Sequence, residues 1–156
     1  MGPEKENTIL LVEDNPDDVK LTLRAFKQNN ITNPIVVAHD GQEALDYLFG
    51  TGSFAEQSCP LPQVVLLDLR LPGMDGTEVL RQIRANPRTE LLPVVILTSS
   101  TEEQDMIKGY KLGANSYVCK PVDFVHFVEA ARELGRYWLV LNETPSARRS
   151  NRADVT

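Results

Sequence analysis

VVLLDLRLPGMDG, residues 64–76, decides the fold, because four aliphatic residues lead directly into an aspartate followed by a Gly/Pro-rich turn. Four other short runs share this aliphatic character: TILLV (8–12), IVVA (35–38), VVIL (94–97) and SYVC (116–119). Segments with helical spacing lie between them, which predicts alternating strands and helices. Strands that are apolar throughout are typical of a parallel sheet covered on both faces. The pattern therefore predicts a doubly wound α/β sandwich with a parallel five-stranded sheet.

Composition narrows the classes of partner. The chain has 156 residues, 42% of them hydrophobic and 24% charged, with a formal net charge of −6. An acidic chain is a poor general binder of nucleic acid or anionic membranes, so we expect a protein partner. No apolar run approaches the roughly 20 residues of a membrane helix, and the charged amino end does not look like a secretory signal. We expect a cytoplasmic protein.

The chain reads as one domain with two irregular ends. Residues 1–7 are expected to be flexible, residues 8–142 to form the domain, and residues 143–156 to be a disordered tail with no room for an output domain. The Gly- and Pro-rich segment 50–62 is predicted to be a long surface loop. The last helix is predicted to begin after Asp123 and to continue to about Leu141.

Chemically reactive side chains follow the strands. In open parallel sheets, ligands bind beyond the carboxyl ends of the strands, which selects Glu13, Asp14, Asp68, Thr98 and Lys120. Singly, each has an ordinary reading as a helix cap, a turn residue or a surface charge. Together, carboxylates within ~4 Å repel one another by about 4 kcal/mol per pair at an effective dielectric of 20, so they predict a cation. All-oxygen ligands favour magnesium, manganese or calcium, and a half-open site favours Mg2+.

A carboxylate beside a metal, a lysine and a threonine hydroxyl has the parts of a phosphoryl-transfer site. Asp68 is the natural nucleophile because it follows the central third strand. Glu13 and Asp14 come from a loop that is better placed to hold the metal.

At this point the sequence resembles a known family, the CheY-like receiver domains of bacterial two-component signalling. The resemblance covers about residues 8–140 and rests on four segments in register: LLVEDNPDD (10–18), VVLLDLRLPGMDG (64–76), VVILTSS (94–100) and ANSYVCKPVD (114–123). It implies a flavodoxin-like (βα)5 sandwich with strand order 2-1-3-4-5. It also implies a single-domain response regulator that receives a phosphoryl group from a histidine kinase and switches protein–protein interactions.

The resemblance assigns the core of the site. Asp68 is expected to be the phosphoacceptor, with Mg2+ bound by Asp14, Asp68 and the backbone carbonyl of Arg70, and with Glu13 assisting through water. Lys120 is expected to pair with the phosphoryl group.

The resemblance also assigns a switch. Thr98 is expected to donate its hydroxyl to the phosphoryl group, and Tyr117 is the aromatic switch residue. Arg70, Ser99 and Ser100 occupy positions that tune the phosphoryl lifetime. The bond between Lys120 and Pro121 is expected to be cis.

The long loop before the third strand and the segment RYWLVLNETP (136–145) resemble, more weakly, stand-alone regulators of bacterial phytochrome histidine kinases. A stripe along the last helix predicts a homodimer through the fourth helix, fifth strand and last helix, extended by Tyr137, Trp138 and Leu141. The alternative is that Trp138 packs against its own domain.

The sequence argues against three other functions. Haloacid-dehalogenase-type phosphatases need a second Asp where this chain has Arg70, so we expect no enzyme acting on external esters. A flavodoxin-like cofactor site needs a Ser/Thr/Gly-rich loop in place of the acidic EDNPDD. A pseudo-receiver scaffold would be expected to lack the acidic or lysine positions, all of which are present here.

Overall fold

The computed structural model describes residues 8–55, 60–99, 102–120 and 123–141. The strands are β1 (Ile9–Val12), β2 (Ile35–Ala38), β3 (Val64–Leu67), β4 (Val94–Thr98) and β5 (Ser116–Cys119). The α-helices are α1 (Pro16–Gln28), α2 (Gly41–Phe49), α3 (Gly76–Ala85), α4 (Glu103–Lys111) and α5 (Phe124–Leu134). Three predicted strands agree with these bounds residue for residue, and the other two differ by one residue at one end.

The five strands form one parallel sheet in the order β2-β1-β3-β4-β5. The predicted fold class and strand order are thus confirmed. Strand β1 pairs with both β2 and β3, so the chain reverses its direction across the sheet at β1. Ligands of such sheets bind at this reversal, beyond the carboxyl ends of the strands.

Alternate residues of each central strand point into two separate apolar layers. Leu10 and Val12 of β1 face the layer built with α2 and α3. Ile9 and Leu11 face the layer built with α1 and α5. No β1 residue is more than 2% exposed, which explains why the strand reads as a continuous aliphatic run.

The predicted start of α1 is confirmed. Asn15 has an extended backbone and its side chain accepts hydrogen bonds from the amides of Asp17 and Asp18, at 2.8 and 3.1 Å. Pro16 occupies the first helical turn, where its missing N–H costs no hydrogen bond. This cap fixes the path of the chain from β1 into the acidic loop.

Gly76 lets α3 begin directly against the end of β3. A Cβ atom at this position would lie 2.3 Å from the backbone oxygen of Asp68 and 2.7 Å from the Cα of Leu69. Both neighbours are backbone atoms, which cannot turn away as a flexible side chain can. Only glycine therefore permits this approach, which sets the loop after Asp68.

The described part of the segment 50–62, residues 50–55 and 60–62, has more structure than the predicted surface loop. Gly52–Phe54 form a short 3₁₀ turn, and the ring of Phe54 packs edge-on against Tyr47 with centroids 5.3 Å apart. The Tyr47 hydroxyl donates to the carbonyl of Pro60 at 3.3 Å. Apolar contact with α2 orders this segment despite its glycines.

Helix α5 continues into a π-helical segment, Gly135–Leu141, which agrees with the prediction that the last helix extends to about Leu141. Trp138 is 8% exposed and packs in the layer with Ile9, Phe26 and Val64. The Gln63 amide nitrogen donates to the carbonyls of Trp138 and Leu139, at 3.1 Å each. In the single chain Trp138 is thus a core residue, as in the alternative reading, and it offers little surface to a second copy. Tyr137 beside it is 50% exposed.

Several predictions fall outside the described residues. They are the predictions that residues 1–7 are flexible, that residues 143–156 are disordered, that Ser100 tunes the phosphoryl lifetime, and that the bond before Pro121 is cis. The side chain of Leu141 is also outside the described part of the chain.

Candidate functional site

The strand ends bring the predicted residues to one edge of the sheet. Asp68 follows β3 and its amide donates to the carbonyl of Val12 in β1 at 3.1 Å. The amide of Lys120, after β5, donates to the carbonyl of Thr98 at the end of β4, at 2.7 Å. Because these bonds extend the pairing of the strands, the positions of Asp68 and Lys120 are set by the sheet.

The Lys120 ammonium is the centre of the site. It donates to Glu13 Oε1, to Asp18 Oδ2 at 2.9 Å, and to Asp68 Oδ2 at 3.0 Å. The lysine side chain is only 7% exposed, so water cannot replace many of these contacts. Burial alone would lower the pKa of Lys120, but the bonds to Glu13 and Asp18 and the charge of Asp68 raise it above its ordinary value. The ammonium is therefore held charged next to Asp68.

Three carboxylates form a cluster at the same edge. Glu13, Asp14 and Asp68 each offer an oxygen, and these oxygens lie within 4.8 Å of one another. Glu13 and Asp68 are buried, whereas Asp14 is exposed. Burial raises the pKa of Glu13 to about 7; the Lys120 hydrogen bond opposes the rise and the charge of Asp68 adds to it. One ammonium does not neutralise the cluster, so a divalent cation with oxygen ligands fits the residues present.

Arg70 connects the site to α4. Its amide donates to Asp68 Oδ1 at 3.1 Å, which orients the carboxylate from the side opposite Lys120. Its guanidinium extends away and pairs with Asp105 at 2.7 Å and with Glu102 at 3.6 Å. The Arg70 side chain is 61% exposed, so these pairs contribute modestly to stability. They still tie the loop after β3 to the first turn of α4.

The predicted switch residues lie on the neighbouring strands. Thr98 is fully buried at the end of β4, and β4 is the strand next to the one that carries Asp68. Tyr117 is half-buried on β5, opposite Ile96 of β4, and its ring lies beside Gly109 of α4. Ser99 is exposed. The ring of Tyr117 on β5 therefore packs beside α4, the helix whose first turn Arg70 contacts.

Asp18 is the site residue that the sequence reasoning missed. It lies in the first turn of α1 and reaches Lys120 across 102 residues of sequence. The available signal was the cap at Asn15, which starts the helix at Pro16 and places Asp18 one turn from the acidic loop. Reading only the residues directly after each strand excluded it.

Among the described residues, no helix is both long and apolar enough to span a membrane.

The similarity of this chain to known proteins agrees with the site geometry. The family model described as "Response regulator receiver domain" matches residues 9–132.

Similar proteins cover nearly the same length. The probable methanogenesis regulatory protein FilR2 of Methanothrix harundinacea is 44% identical over 88% of this chain and 86% of its own. The bacteriophytochrome response regulator AtBRR is 51% identical, with a TM-score of 0.72 over 88% of this chain and 99% of that one. The Mn(2+)-bound response regulator Rcp1, a Synechocystis protein, is 34% identical with a TM-score of 0.81 over 89% and 99%.

A family match over most of the chain, the observed strand order and the acidic site with its lysine all agree. The chain therefore belongs to the response regulator receiver domain family and is homologous to Rcp1 and to the bacteriophytochrome response regulators.

Proposed function

We propose that this receiver domain accepts a phosphoryl group from a histidine kinase on Asp68. The observation that carries the proposal is the Lys120 ammonium, which lies 3.0 Å from Asp68 Oδ2 in a nearly closed site. A positive charge beside the carboxylate attracts an incoming phosphoryl group and compensates the charge that it brings. The amide of Arg70 holds the other carboxylate oxygen, so the nucleophile enters the reaction already oriented.

We assign the metal of the site as Mg2+, held by Asp14, Asp68 and the backbone carbonyl of Arg70, with Glu13 assisting through water. Bound magnesium supplies positive charge to the phosphoryl oxygens during transfer. In the proposed transfer, an Asp68 carboxylate oxygen attacks the phosphorus while the P–N bond of the kinase phosphohistidine breaks and its imidazole leaves. Lys120 neutralises charge on the phosphoryl group, and Thr98 donates its hydroxyl to it. The oxygen-only donor set and the similarity to a manganese-bound regulator support this assignment.

The test is direct labelling. The purified protein, incubated with magnesium and a small phosphodonor, should gain the mass of one phosphoryl group, and hydroxylamine should remove it. Asp68→Asn should abolish the gain because the amide has the same shape but is not nucleophilic. Asp75→Asn, at the exposed cap of α3, is the matched control and should label normally. Labelling of Asp68→Asn would refute the assignment.

The domain is proposed to catalyse only its own phosphorylation and dephosphorylation. The position two residues after Asp68 holds Arg70, which cannot serve as the general acid that an aspartyl phosphatase needs. Turnover of an external phosphate ester that is lost in Asp68→Asn would contradict this.

We further propose a switch in which the phosphoryl group draws Thr98 and Lys120 toward it, and Tyr117 turns inward into the space that Thr98 leaves. Hydrogen bonds to charged groups contribute roughly 1.5–3 kcal/mol each, and a swing from 1:99 to 99:1 needs about 5.5 kcal/mol, so two or three bonds suffice. The phosphoryl mimic beryllofluoride should shift the NMR signals of β4 and β5. Unchanged signals in both strands would refute the switch.

We also propose a homodimer through α4, β5 and α5, in which Tyr137 contributes more surface than the buried Trp138 because its side chain is exposed. Tyr137→Ala should weaken the dimer in light scattering across a concentration series, with and without beryllofluoride, while leaving the monomer folded. A monomer at every concentration would rule the dimer out.

We propose that the protein is cytoplasmic and that its phosphoryl donor is a histidine kinase of the phytochrome type, on the similarity to AtBRR and Rcp1. Phosphotransfer assays should show faster labelling from a phytochrome kinase than from an unrelated sensor kinase. Equal rates would remove the phytochrome link and leave the phosphoacceptor role intact.

A further inference from the structure

Asp18 gives the Lys120 ammonium a third carboxylate that the proposed transfer chemistry does not use. The contact is 2.9 Å long and joins the first turn of α1 to the end of β5. Asp18 is also not one of the three acids that cluster for a cation. We therefore ask what the contact with Asp18 does to the Lys120 side chain.

The geometry matches donors and acceptors one to one. A lysine ammonium has three N–H donors that rotate together about one bond. Glu13, Asp18 and Asp68 supply three acceptors from three different elements: the end of β1, the first turn of α1 and the end of β3. When two of the acceptors are occupied, the direction of the third donor is determined.

We propose that Asp18 is a positioning residue for Lys120: together with Glu13 it holds two of the ammonium donors, so that the third points at Asp68 and at a phosphoryl group on it. The inference rests on the proposed phosphoacceptor role of Asp68. Asp18 thereby keeps the long, flexible side chain of Lys120 directed at Asp68 while Asp68 gains or loses its phosphoryl group.

The different burial of the three acids supports a positioning role for Asp18. Glu13 and Asp68 are 3% and 8% exposed in their side chains, whereas Asp18 is 34% exposed. Asp18 is therefore the acceptor that closes the outer side of the ammonium. Without it, the outer donor would turn toward solvent and the lysine would gain freedom to leave the site. The Asn15 cap holds Asp18 in place by accepting the hydrogen bond of its amide at 3.1 Å.

Asp17 supplies a matched control. It lies in the same helical turn, carries the same charge near the same helix end, and has its amide bound by the same cap, but it is not an acceptor of Lys120. Asp18→Asn and Asp17→Asn change the net charge and the helix end alike. A difference between the two variants therefore isolates the contact with Lys120.

The experiment measures the affinity for beryllofluoride at saturating magnesium, by NMR titration of wild type, Asp17→Asn, Asp18→Asn and Asp18→Glu. Asp18→Asn should bind roughly tenfold more weakly, because the amide oxygen that remains is an uncharged and weaker acceptor for the Lys120 ammonium. Asp17→Asn should bind like wild type. Asp18→Glu should recover most of the affinity, because the half-open position has room for one more methylene and the carboxylate is kept. Urea unfolding of all four proteins checks that the fold is intact.

A second measurement does not depend on the phosphoryl mimic. The side-chain ammonium of Lys120, shielded from water, should give a resolved 15N signal in wild type and Asp17→Asn that broadens or is lost in Asp18→Asn. Asp18→Asn behaving like Asp17→Asn in both measurements would overturn the inference. Failure of wild type to bind beryllofluoride or accept a phosphoryl group would instead refute the proposed function, and the ammonium signal would still decide the role of Asp18.

Discussion

The centre of the sheet and its β5 edge are packed very differently. Every residue of β1, β3 and β4 is buried. On β5, three residues are half-buried and one is exposed, and Gly109 is the one buried residue of α4. Regions with few buried apolar contacts open more easily than the core. Asp68 thus stands on the rigid part and Lys120 on the looser part, so the site bridges two regions of unequal stability.

Two arginines connect the looser edge to the rest of the molecule. At the end of the sheet away from the site, the Arg84 guanidinium donates to the carbonyls of Gly113 and Leu92, at 2.9 and 2.7 Å, and to Asn115 Oδ1 at 2.9 Å. At the site end, Arg70 pairs with acids of the first turn of α4. The first connection is partly buried and the second is exposed. We therefore expect Arg84 to contribute to the free energy of unfolding, and Arg70 to affect only the local stability of α4.

The largest expected effect comes from the centre. Leu10→Ala should lower the free energy of unfolding by about 2–5 kcal/mol, because Leu10 is fully buried and a cavity would remain. Ile107→Ala on α4 is the matched control, since Ile107 is 47% exposed and should cost well under half as much. Urea denaturation measures both. Equal losses would mean that the centre and the edge do not differ in packing as described.

Arg84→Met should cost about 1–3 kcal/mol of unfolding free energy, because it keeps the aliphatic stem but leaves partly buried acceptors unpaired. Burial lowers the pKa of Arg84, in keeping with its partly enclosed position. Arg88 is exposed and its guanidinium donates to the carbonyl of Leu48 over a longer distance, 3.2 Å, so Arg88→Met should cost less. If both variants unfold at the same urea concentration as wild type, the connection contributes nothing.

Arg70→Met should change global stability by less than about 1 kcal/mol, since its ion pairs are solvent-exposed. Its effect should be local: faster amide hydrogen exchange in the first turn of α4, with exchange in β1 and β3 unchanged. Arg81→Met is the control, because among the described residues Arg81 forms its ion pair with Glu78 of its own helix, α3. Protection of α4 that is identical in both variants would show that Arg70 does not hold this helix.

The smallest effect concerns charge at the start of α5. His126 Nδ1 lies 2.8 Å from both carboxylate oxygens of Asp123, which raises the pKa of His126. The His126 amide, and then its side chain, lower the pKa of Asp123. The stability from His126 is present below its ordinary value of about 6.5 and is lost as pH rises through the raised pKa. That from Asp123 is present above about 3.9 and is lost as pH falls through the lowered pKa.

The pair should therefore strengthen the start of α5 most between about pH 4 and 6.5. NMR titration of the His126 ring protons should give a midpoint above the ordinary value. Asp123→Asn, which keeps a capping oxygen but removes the charge, should bring the midpoint down. A midpoint that does not move would show that the carboxylate is not responsible.

The strands and the main site could be predicted because local pattern encodes them. The aliphatic runs set β1 to β5, and the fixed geometry of a parallel sheet then places Glu13, Asp68 and Lys120 at one edge. Asn15 and Asp123 were also readable as caps, since their side chains bond to amides two or three residues away.

Contacts between distant side chains could not be predicted in this way. The pairing of Asp18 with Lys120, the contact of Arg70 with α4 and the burial of Trp138 each depend on how whole helices pack. Trp138 shows the limit most clearly: helical spacing identified its stripe but could not tell whether a second copy or the chain's own sheet covers it.

The separation of the site residues along the chain has a consequence for measurement. Lys120 meets Glu13 and Asp68 across 107 and 52 positions of sequence, so no fragment carrying one half of the sheet contains the lysine together with both acids. Formation of the proposed acyl phosphate on Asp68 would thus require the chain to be folded from β1 to β5. The capacity of a sample to take up label should therefore fall along the same denaturant curve as its secondary structure. A mass spectrum would then count the molecules that are native in a mixture, including material made in cells, without purifying them from the misfolded ones.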